Sequence, residues 1–209
     1  MAHDAPAATV QSSIADPAPL GLAGFALTTF LLSAKNAGWM SHSSGLTFLG
    51  YAFAYGGIVQ LLAGMWEFRN RNVFGSTAFA SYGAFWIGLY FYIQDVGGGL
   101  LGKNEVALFN HDLGWILLSF AIFNTYMLMM STQTTMAVFL VFLTLELTEI
   151  VGAIANFTAG AHADPTSLVK ISGYIGIITA IAAWYASAAG VANGMGLRLR
   201  LPVGKPLLS

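Results

Sequence analysis

Cysteine is absent from this sequence, and charged side chains are scarce. Without cysteine the chain has no disulfide bonds, no thiolate metal sites and no cysteine nucleophile. Charged residues make up 8% of the chain and apolar residues 56%, whereas soluble domains carry roughly 25% charged residues. The net charge of −1 at pH 7 gives no indication of a nucleic-acid partner. These deficits predict a protein whose solvent is mostly lipid rather than water.

Sites for metals, nucleotides and covalent catalysis are missing as well. The four histidines fall singly in the N-terminal tail or in connections, so they predict neither a haem nor a metal site. No Walker-type glycine–lysine loop is present to bind a nucleotide, and no serine lies in a nucleophile elbow. We therefore expect no cofactor and no enzymatic activity.

Six long apolar runs account for most of the sequence. A membrane helix needs about 17–25 mostly apolar residues. The links between the runs are short, so consecutive helices are expected to be antiparallel neighbours. We predict an all-α, six-helix transmembrane bundle over residues 16–194, with a disordered tail at 1–15 and a C-terminal tail at 195–209. The runs extend from about Leu20 to Ala37, Leu46 to Trp66, Val73 to Ile93, Leu113 to Met130, Thr135 to Ala155, and Leu168 to Ala188 or Asn193.

Basic residues predict the orientation of this bundle. With a cytoplasmic N-terminus, five of the eight lysines and arginines fall inside and three outside. The inner set is Arg69, Arg71, Arg198, Arg200 and Lys205, and the outer set is Lys35, Lys103 and Lys170. The positive-inside bias favours cytoplasmic N- and C-termini, in a multi-pass protein of the cell membrane.

Two acids lie within the fifth run. Glu146 and Glu149 are three residues apart, on adjoining parts of one helix face. An ionisable group inside a membrane is costly and is by default a functional hypothesis, so one interpretation is a proton relay or ion pathway. The other is a polar seam between helices, with the carboxyls protonated or paired. The sequence leaves both open.

Neutral donors would have to form any pathway for anions, because no lysine or arginine lies at the middle of a run. Such a pathway suits a small, weakly held anion or its neutral acid, since conduction requires favourable but not tight binding. Tyr82 falls near the middle of the third run, where its hydroxyl needs a partner or water. The other candidates include Thr28, Gln60, Ser81 and Thr144.

The first run begins with the stretch Asp16-Pro17-Ala18-Pro19-Leu20-Gly21-Leu22. Proline is favoured at the first helical position, and Asp16 is placed to accept a hydrogen bond from a free N–H group of the first turn. Local chemistry alone therefore indicates an ordinary helix start.

Together with later motifs, this stretch resembles the Asn-Pro-Ala-Pro-Leu-Gly signature of the acetate uptake transporters. That family includes bacterial succinate–acetate permeases and fungal ammonia/acetate exporters. The further matches are Tyr55-Gly56-Gly57, Gln60, Gly64, Glu67, the run Asn72-Val73-Phe74-Gly75-Ser76-Thr77-Ala78-Phe79, Ser81-Tyr82-Gly83, Phe85-Trp86 and, more loosely, Leu143-Thr144.

The resemblance implies a homo-hexamer of six-helix protomers in the lipid bilayer, each with its own pore for acetate and related short carboxylates, including succinate. It places an apolar constriction at Phe25, Tyr82 and Leu143. Polar pore-lining positions would be Thr28 and Gln60.

The pore entrance would be formed by Asp16, Pro17, Pro19 and Gly21. Asp16 replaces the signature's asparagine and adds negative charge there. Glu146 and Glu149 have no counterpart in the matching motifs.

Three functions follow from these patterns. The first is carboxylate transport through the constriction, either channel-like or proton-coupled. The second is a channel for a small neutral solute such as urea, an amide or ammonia, which the lack of mid-span cations also fits. The third is a membrane sensor or assembly partner that transports nothing.

Overall fold

Six long helices make up most of the computed structural model, which describes residues 14–40, 47–96, 105–160 and 166–208. A π-helical stretch, Ala52–Val59, lies inside the second helix, and another, Tyr92–Val96, continues the third. Residues 1–13 of the predicted N-terminal tail lie outside the described residues. In chain order the helices are α1 (Ala18–Asn36), α2 (Phe48–Arg69), α3 (Val73–Phe91), α4 (Val106–Ser131), α5 (Met136–Ala159) and α6 (Ser167–Gly194).

Five of these helices, all except α3, are long and apolar enough to cross a membrane. Helix α3 has 19 residues, but serine, threonine, glycine and tyrosine lower its mean hydropathy. Large apolar side chains also cover the outside of the described bundle, among them Trp66, Ile122, Met129 and Ile178. A surface of this kind suits lipid or further protomers rather than water.

Helix α4 begins earlier than the sequence predicts. Its first residue is Val106, not Leu113, because the helix continues beyond the apolar run. In this first part the Asn110 side chain donates a hydrogen bond to the Gly160 carbonyl at 2.9 Å. Polar side chains at an exposed helix end keep their contact with solvent, so hydropathy marks the membrane-embedded part rather than the helix boundary.

Side-chain caps set the start of three helices. Asn72 accepts a hydrogen bond from the Gly75 N–H at 3.0 Å at the start of α3. Thr135 and Thr166 do the same for α5 and α6, each at 3.4 Å. Each cap satisfies one of the N–H groups that a helix leaves unpaired in its first turn.

Glycines bring α2 and α3 into backbone contact. A Cβ at Gly64 would lie 2.5 Å from the Ala80 nitrogen, and a Cβ at Gly83 would lie 2.7 Å from the Leu61 nitrogen. Lipid is as apolar as the helix surfaces, so it provides no hydrophobic driving force for helices to associate. Small residues let the backbones approach closely, and the resulting van der Waals packing stabilises the contact.

Helices α1 and α6 meet in the same way. A Cβ at Gly173 would lie 2.5 Å from the Ala37 nitrogen, and one at Gly190 would lie 2.7 Å from the Pro19 ring. These contacts fix the beginning and the end of α1 against α6.

The helices pack beside one another in the order α3, α2, α1, α6, α5 and α4. The two ends of this order, α3 and α4, are joined mainly by long side chains. The rings of Phe85 and Phe120 have centroids 4.7 Å apart, and those of Tyr82 and Phe123 are 5.5 Å apart. This side-chain seam closes the bundle around its aromatic core.

The described part of the C-terminal segment folds back onto the helix ends. The Tyr185 hydroxyl donates to the Pro202 carbonyl at 2.6 Å. Two backbone bonds follow: the Ala137 N–H donates to the Val203 carbonyl, and the Leu207 N–H donates to Thr132, each at 2.9 Å. The segment thus supplies an acceptor for a first-turn N–H of α5.

Candidate functional site

Buried aromatic rings from three helices converge at one point inside the bundle. Phe25 of α1 meets Tyr82 of α3 edge to face, with centroids 5.7 Å apart. Two rings of α4, Phe120 and Phe123, contact Tyr82 at 5.7 and 5.5 Å. Phe25 and Tyr82 are 5% and 3% exposed. The two rings named from the sequence therefore do lie together.

Helix α5 contributes Leu145, rather than Leu143, to this core. Leu145 is buried in the same apolar cluster as Phe25 and Tyr82, together with Val141. Leu143 is only partly buried. Two residues turn an α-helix by about 200°, so Leu143 and Leu145 occupy nearly opposite faces. The assignment of Leu143 to the constriction, implied by the resemblance, stays a prediction.

A hydrogen-bonded network links the ring cluster to two further helices. The Tyr82 hydroxyl donates to Asn124 Oδ1 at 3.0 Å. The Asn124 amide nitrogen lies 3.0 Å from the Phe142 carbonyl and 2.7 Å from Glu146 Oε2. The Thr125 hydroxyl lies 2.8 Å from Glu146 Oε1. The same hydroxyl lies 2.9 Å from the Ala121 carbonyl, so its one proton serves either that carbonyl or Glu146. Both oxygens of Glu146 therefore lie within hydrogen-bond distance of α4 side chains.

The carboxyl of Glu149 has a different environment from that of Glu146. It is 4% exposed, and its Oε2 has no hydrogen-bond partner among the described residues. Its carboxyl interacts with the Tyr82 hydroxyl and with Glu146. The two acids that the sequence pairs thus share Tyr82 as a neighbour, one through Asn124 and the other directly.

The four predicted pore-lining side chains fall into two classes. Thr28 and Thr144 donate hydrogen bonds back to their own helices, Thr28 to the Gly24 carbonyl at 2.9 Å and Thr144 to the Leu140 carbonyl at 2.8 Å. Gln60 is 1% exposed, and its Oε1 has no partner within the described chain. Ser81 is half-buried.

Each of α1, α2 and α3 carries at least one unpartnered polar atom. Besides Gln60, the Thr29 hydroxyl and the Trp86 indole N–H lack hydrogen-bond partners in the described ranges. Buried polar groups are nearly always paired, so such atoms mark positions where a polar solute or water would bind. Together they offer an acceptor, a hydroxyl and a donor.

The predicted entrance residues hold the beginning of α1 in place by hydrogen bonds and packing. The Asp16 carboxylate accepts a hydrogen bond from the Ala18 N–H at 3.0 Å, while Pro17 occupies the cap position itself. The Pro19 carbonyl accepts from the Ser187 hydroxyl of α6 at 2.7 Å. A Cβ at Gly21 would lie 2.7 Å from the Phe79 ring. The motif is therefore a packing element as well as a helix start.

Sequence reasoning missed Asn124 and did not weigh Glu67 as a charge. Asn124 was detectable, because a buried amide in the middle of an apolar run is as exceptional as a charge. Glu67 is completely buried, with Oε2 accepting from the Asn70 amide at 3.1 Å and Oε1 unpartnered in the described chain. Its position beside two arginines in sequence made it look like part of a solvated link.

Metal chemistry finds no support in the described residues, where no three histidine or acidic side chains are grouped to hold an ion.

Comparisons with known proteins show which family this chain resembles over most of its length. Residues 3–205 match the GPR1/FUN34/yaaH family. Acetate permease A of Emericella nidulans is 41% identical over 90% of this chain and 65% of its own length. Ammonia transport outward protein 2 of Saccharomyces cerevisiae is 39% identical over 86% of this chain and 62% of its own. The chain therefore spans somewhat less than two thirds of these fungal relatives.

Bacterial relatives match over nearly their whole length. The succinate-acetate/proton symporter SatP of Escherichia coli is 32% identical over 93% of this chain and 97% of its own length. A solved structure of the bacterial acetate channel SatP superimposes with a TM-score of 0.79, covering 92% of this chain and 100% of that one.

Proposed function

Because the chain belongs to the GPR1/FUN34/yaaH family, we propose that this membrane protein carries acetate and related short carboxylates, including succinate, across the cell membrane. The observation that supports this most is the buried contact of Phe25 and Tyr82 beside Leu145. The relatives named for acetate are similar over the helices that build this contact.

The three side chains form a constriction in this proposal. An apolar constriction excludes hydrated ions by size and dewetting. The unpartnered Thr29 hydroxyl and Trp86 indole N–H would donate hydrogen bonds to the carboxylate without a fixed positive charge. Gln60 Oε1, an acceptor, would bind only the O–H of the neutral acid. Such binding is weak enough for the solute to leave again.

The membrane arrangement that we propose has six crossings, cytoplasmic N- and C-termini and a pore in each protomer of a hexamer. Helix α3 would make the sixth crossing, since its 19 residues are long enough to span a hydrocarbon core. The apolar outer surface would then be shared between lipid and neighbouring protomers.

Topology can be tested directly because the chain has no cysteine. A single Lys205→Cys variant should react with a membrane-impermeant maleimide only in inverted vesicles. Labelling in right-side-out vesicles would contradict a cytoplasmic C-terminus. Native mass spectrometry in detergent should give a hexamer, and a monomer or dimer would contradict the assembly.

Transport is tested with the purified chain in proteoliposomes. Labelled acetate should enter faster than into protein-free liposomes, and Tyr82→Ala should change that flux. With an inward proton gradient, accumulation above the external concentration indicates coupling, whereas passive equilibration indicates a channel. Absence of acetate flux in the folded chain would overturn the proposal.

Ammonia is the second candidate, favoured by the absence of lysine and arginine from the middles of the helices. A fungal relative is named for ammonia transport. Urea, acetamide and ammonia are therefore tested as competitors against labelled acetate. Competition by these neutral solutes at concentrations similar to acetate would favour the second function.

A further inference from the structure

The orientation of the Asn124 amide is set by its neighbours. Its nitrogen lies 3.0 Å from the backbone carbonyl of Phe142, which accepts hydrogen bonds and never donates them. The amide oxygen must therefore point to Tyr82, 3.0 Å away. An amide oxygen also only accepts, so the single proton of the Tyr82 hydroxyl is directed at Asn124.

Glu149 also interacts with this hydroxyl, and its own carboxyl is buried with Oε2 unpartnered among the described residues. Because the Tyr82 proton is already committed to Asn124, a carboxylate at Glu149 would meet only the lone pairs of the phenol oxygen. A neutral carboxyl at Glu149 can instead donate its own proton to that oxygen. This count, together with the burial of the carboxyl and its unpartnered Oε2, favours a proton on Glu149 in the described arrangement.

Among the described residues, no cation is placed to replace that proton. The groups that act on Glu149 are Tyr82 of α3 and Glu146 of its own helix, and Tyr82 in turn faces Tyr126 of α4. The sequence has no lysine, arginine or histidine at positions 72–102, 112–161 or 171–197, which include most of α3 to α6. Glu146 differs because the Asn124 amide donates to its Oε2 at 2.7 Å, and its Oε1 lies 2.8 Å from the Thr125 hydroxyl.

We propose that Glu149 is the proton-binding residue that couples proton movement to carboxylate movement at the constriction, with Asn124 as the residue that orients Tyr82. The proposal rests on the carboxylate transport proposed above. It assigns different roles to the two acids of α5: Glu149 exchanges a proton, and Glu146 holds Asn124 in place.

The proton step involves three oxygens. When an acetate anion reaches the constriction, the Tyr82 hydroxyl turns from Asn124 and gives its proton to an acetate oxygen. The Glu149 O–H bond breaks as its proton moves to the phenol oxygen. The negative charge then lies on Glu149 until it binds another proton from the side on which acetate entered. The first proton leaves as part of acetic acid and is released on the other side, so each cycle moves one proton with one acetate.

Infrared spectroscopy tests the proton on Glu149 without transport. The full chain in liposomes at neutral pH should show the carbonyl stretch of a protonated carboxylic acid. Glu149→Gln should reduce this band, whereas Glu146→Gln should leave it in place. A band that Glu149→Gln does not reduce, or that Glu146→Gln alone removes, would overturn the proposal.

Transport in proteoliposomes tests the coupling. Glu149→Gln keeps an N–H donor for Tyr82, so labelled acetate should still exchange with unlabelled acetate across the membrane. Its accumulation under an inward proton gradient should fall to the passive level. Full gradient-driven accumulation by Glu149→Gln would contradict the assignment.

Asp112→Asn is the matched control, because it makes the same carboxylate-to-amide change at the exposed end of α4, beside His111. It should accumulate acetate like the unmodified chain. If the unmodified chain carries no acetate, the transport proposal fails while the infrared result still decides the state of Glu149. If Glu149→Gln loses acetate exchange as well, the infrared spectrum decides: the proposal stands if this variant reduces the carboxylic acid band and fails if it does not.

Discussion

The seam between α2 and α3 and the seam between α3 and α4 are built on different principles. At the first, Gly64 and Gly83 let the two backbones touch. At the second, Tyr82, Phe85 and Asn124 span the gap with side chains. The face of α3 that contacts α2 is therefore fixed by backbone packing. The face that contacts α4 is held by side chains that can change rotamer.

This difference indicates which part of the bundle is the frame and which part is adjustable. Backbone contacts cannot rearrange without separating helices, whereas rings and amides change rotamer at much smaller cost. The network of Asn124, Glu146 and Glu149 lies on the adjustable seam. A constriction that must open for a solute is best placed there.

Filling the seam between α2 and α3 should have the largest effect. Gly83→Ala places a Cβ about 2.7 Å from the Leu61 nitrogen, and overpacking of this kind costs about 1–3 kcal/mol. Gly88→Ala on the same helix meets no atom within 4 Å, so it should be neutral or stabilise by about 0.5–1 kcal/mol. Thermal unfolding in detergent measures both.

An equal loss of stability in the two glycine variants would show that helix propensity, rather than the α2–α3 contact, controls these positions. The comparison between the seams would then lose its basis. A loss of stability confined to Gly83→Ala would confirm that the backbone contact between α2 and α3 cannot accommodate an added methyl group.

Removing the polar bridge of the second seam should have a somewhat smaller effect on stability. Asn124→Leu breaks the bonds to Tyr82 and Glu146, and interhelical hydrogen bonds in membranes contribute about 0.6 kcal/mol each on average. We expect the free energy of unfolding to fall by about 1–2 kcal/mol. The tyrosine fluorescence should also change.

The control for Asn124 is Asn156→Leu, since Asn156 bonds only within α5, to the Gly152 carbonyl at 2.8 Å. It should cost less than Asn124→Leu. If both variants lose the same stability, the bridge between α3 and α4 contributes nothing beyond a local hydrogen bond.

Substrate size should respond to one leucine of α5 and not to the other. Leu145→Ala opens space in the buried cluster, so the ratio of lactate to acetate flux should rise by about tenfold, the usual effect of a small change in pocket size. Leu143→Ala should leave the ratio unchanged. The opposite result would return the constriction to Leu143 and place α5 differently against Tyr82.

Much of this architecture can be predicted from the sequence, because length and hydropathy determine membrane helices. The six runs follow from hydropathy, and the pairing of Phe25 with Tyr82 follows from the motifs of the resemblance. The start of α4 does not, since seven further residues of that helix precede the apolar run.

The polar network is harder to predict. Asn124 lies 42 positions from Tyr82 and 22 from Glu146, and only the packing of α4 between its neighbours brings them together. The choice between Leu143 and Leu145 is hard to make from sequence for a related reason: a two-residue shift is small in an alignment but turns the side chain to another face.

The smallest expected effect concerns the start of α1, outside both seams. Asp16→Asn keeps an oxygen that can accept the Ala18 N–H, so the helix start should be unchanged. The exposed charge that it removes acts on an approaching anion only within a Debye length, about 10 Å at 0.1 M salt. Acetate uptake should therefore rise less than about threefold at low ionic strength and not at all at high ionic strength. An increase that persists in high salt would mean that Asp16 acts inside the structure, and Glu67, the buried acid that faces it, would be the next residue to change.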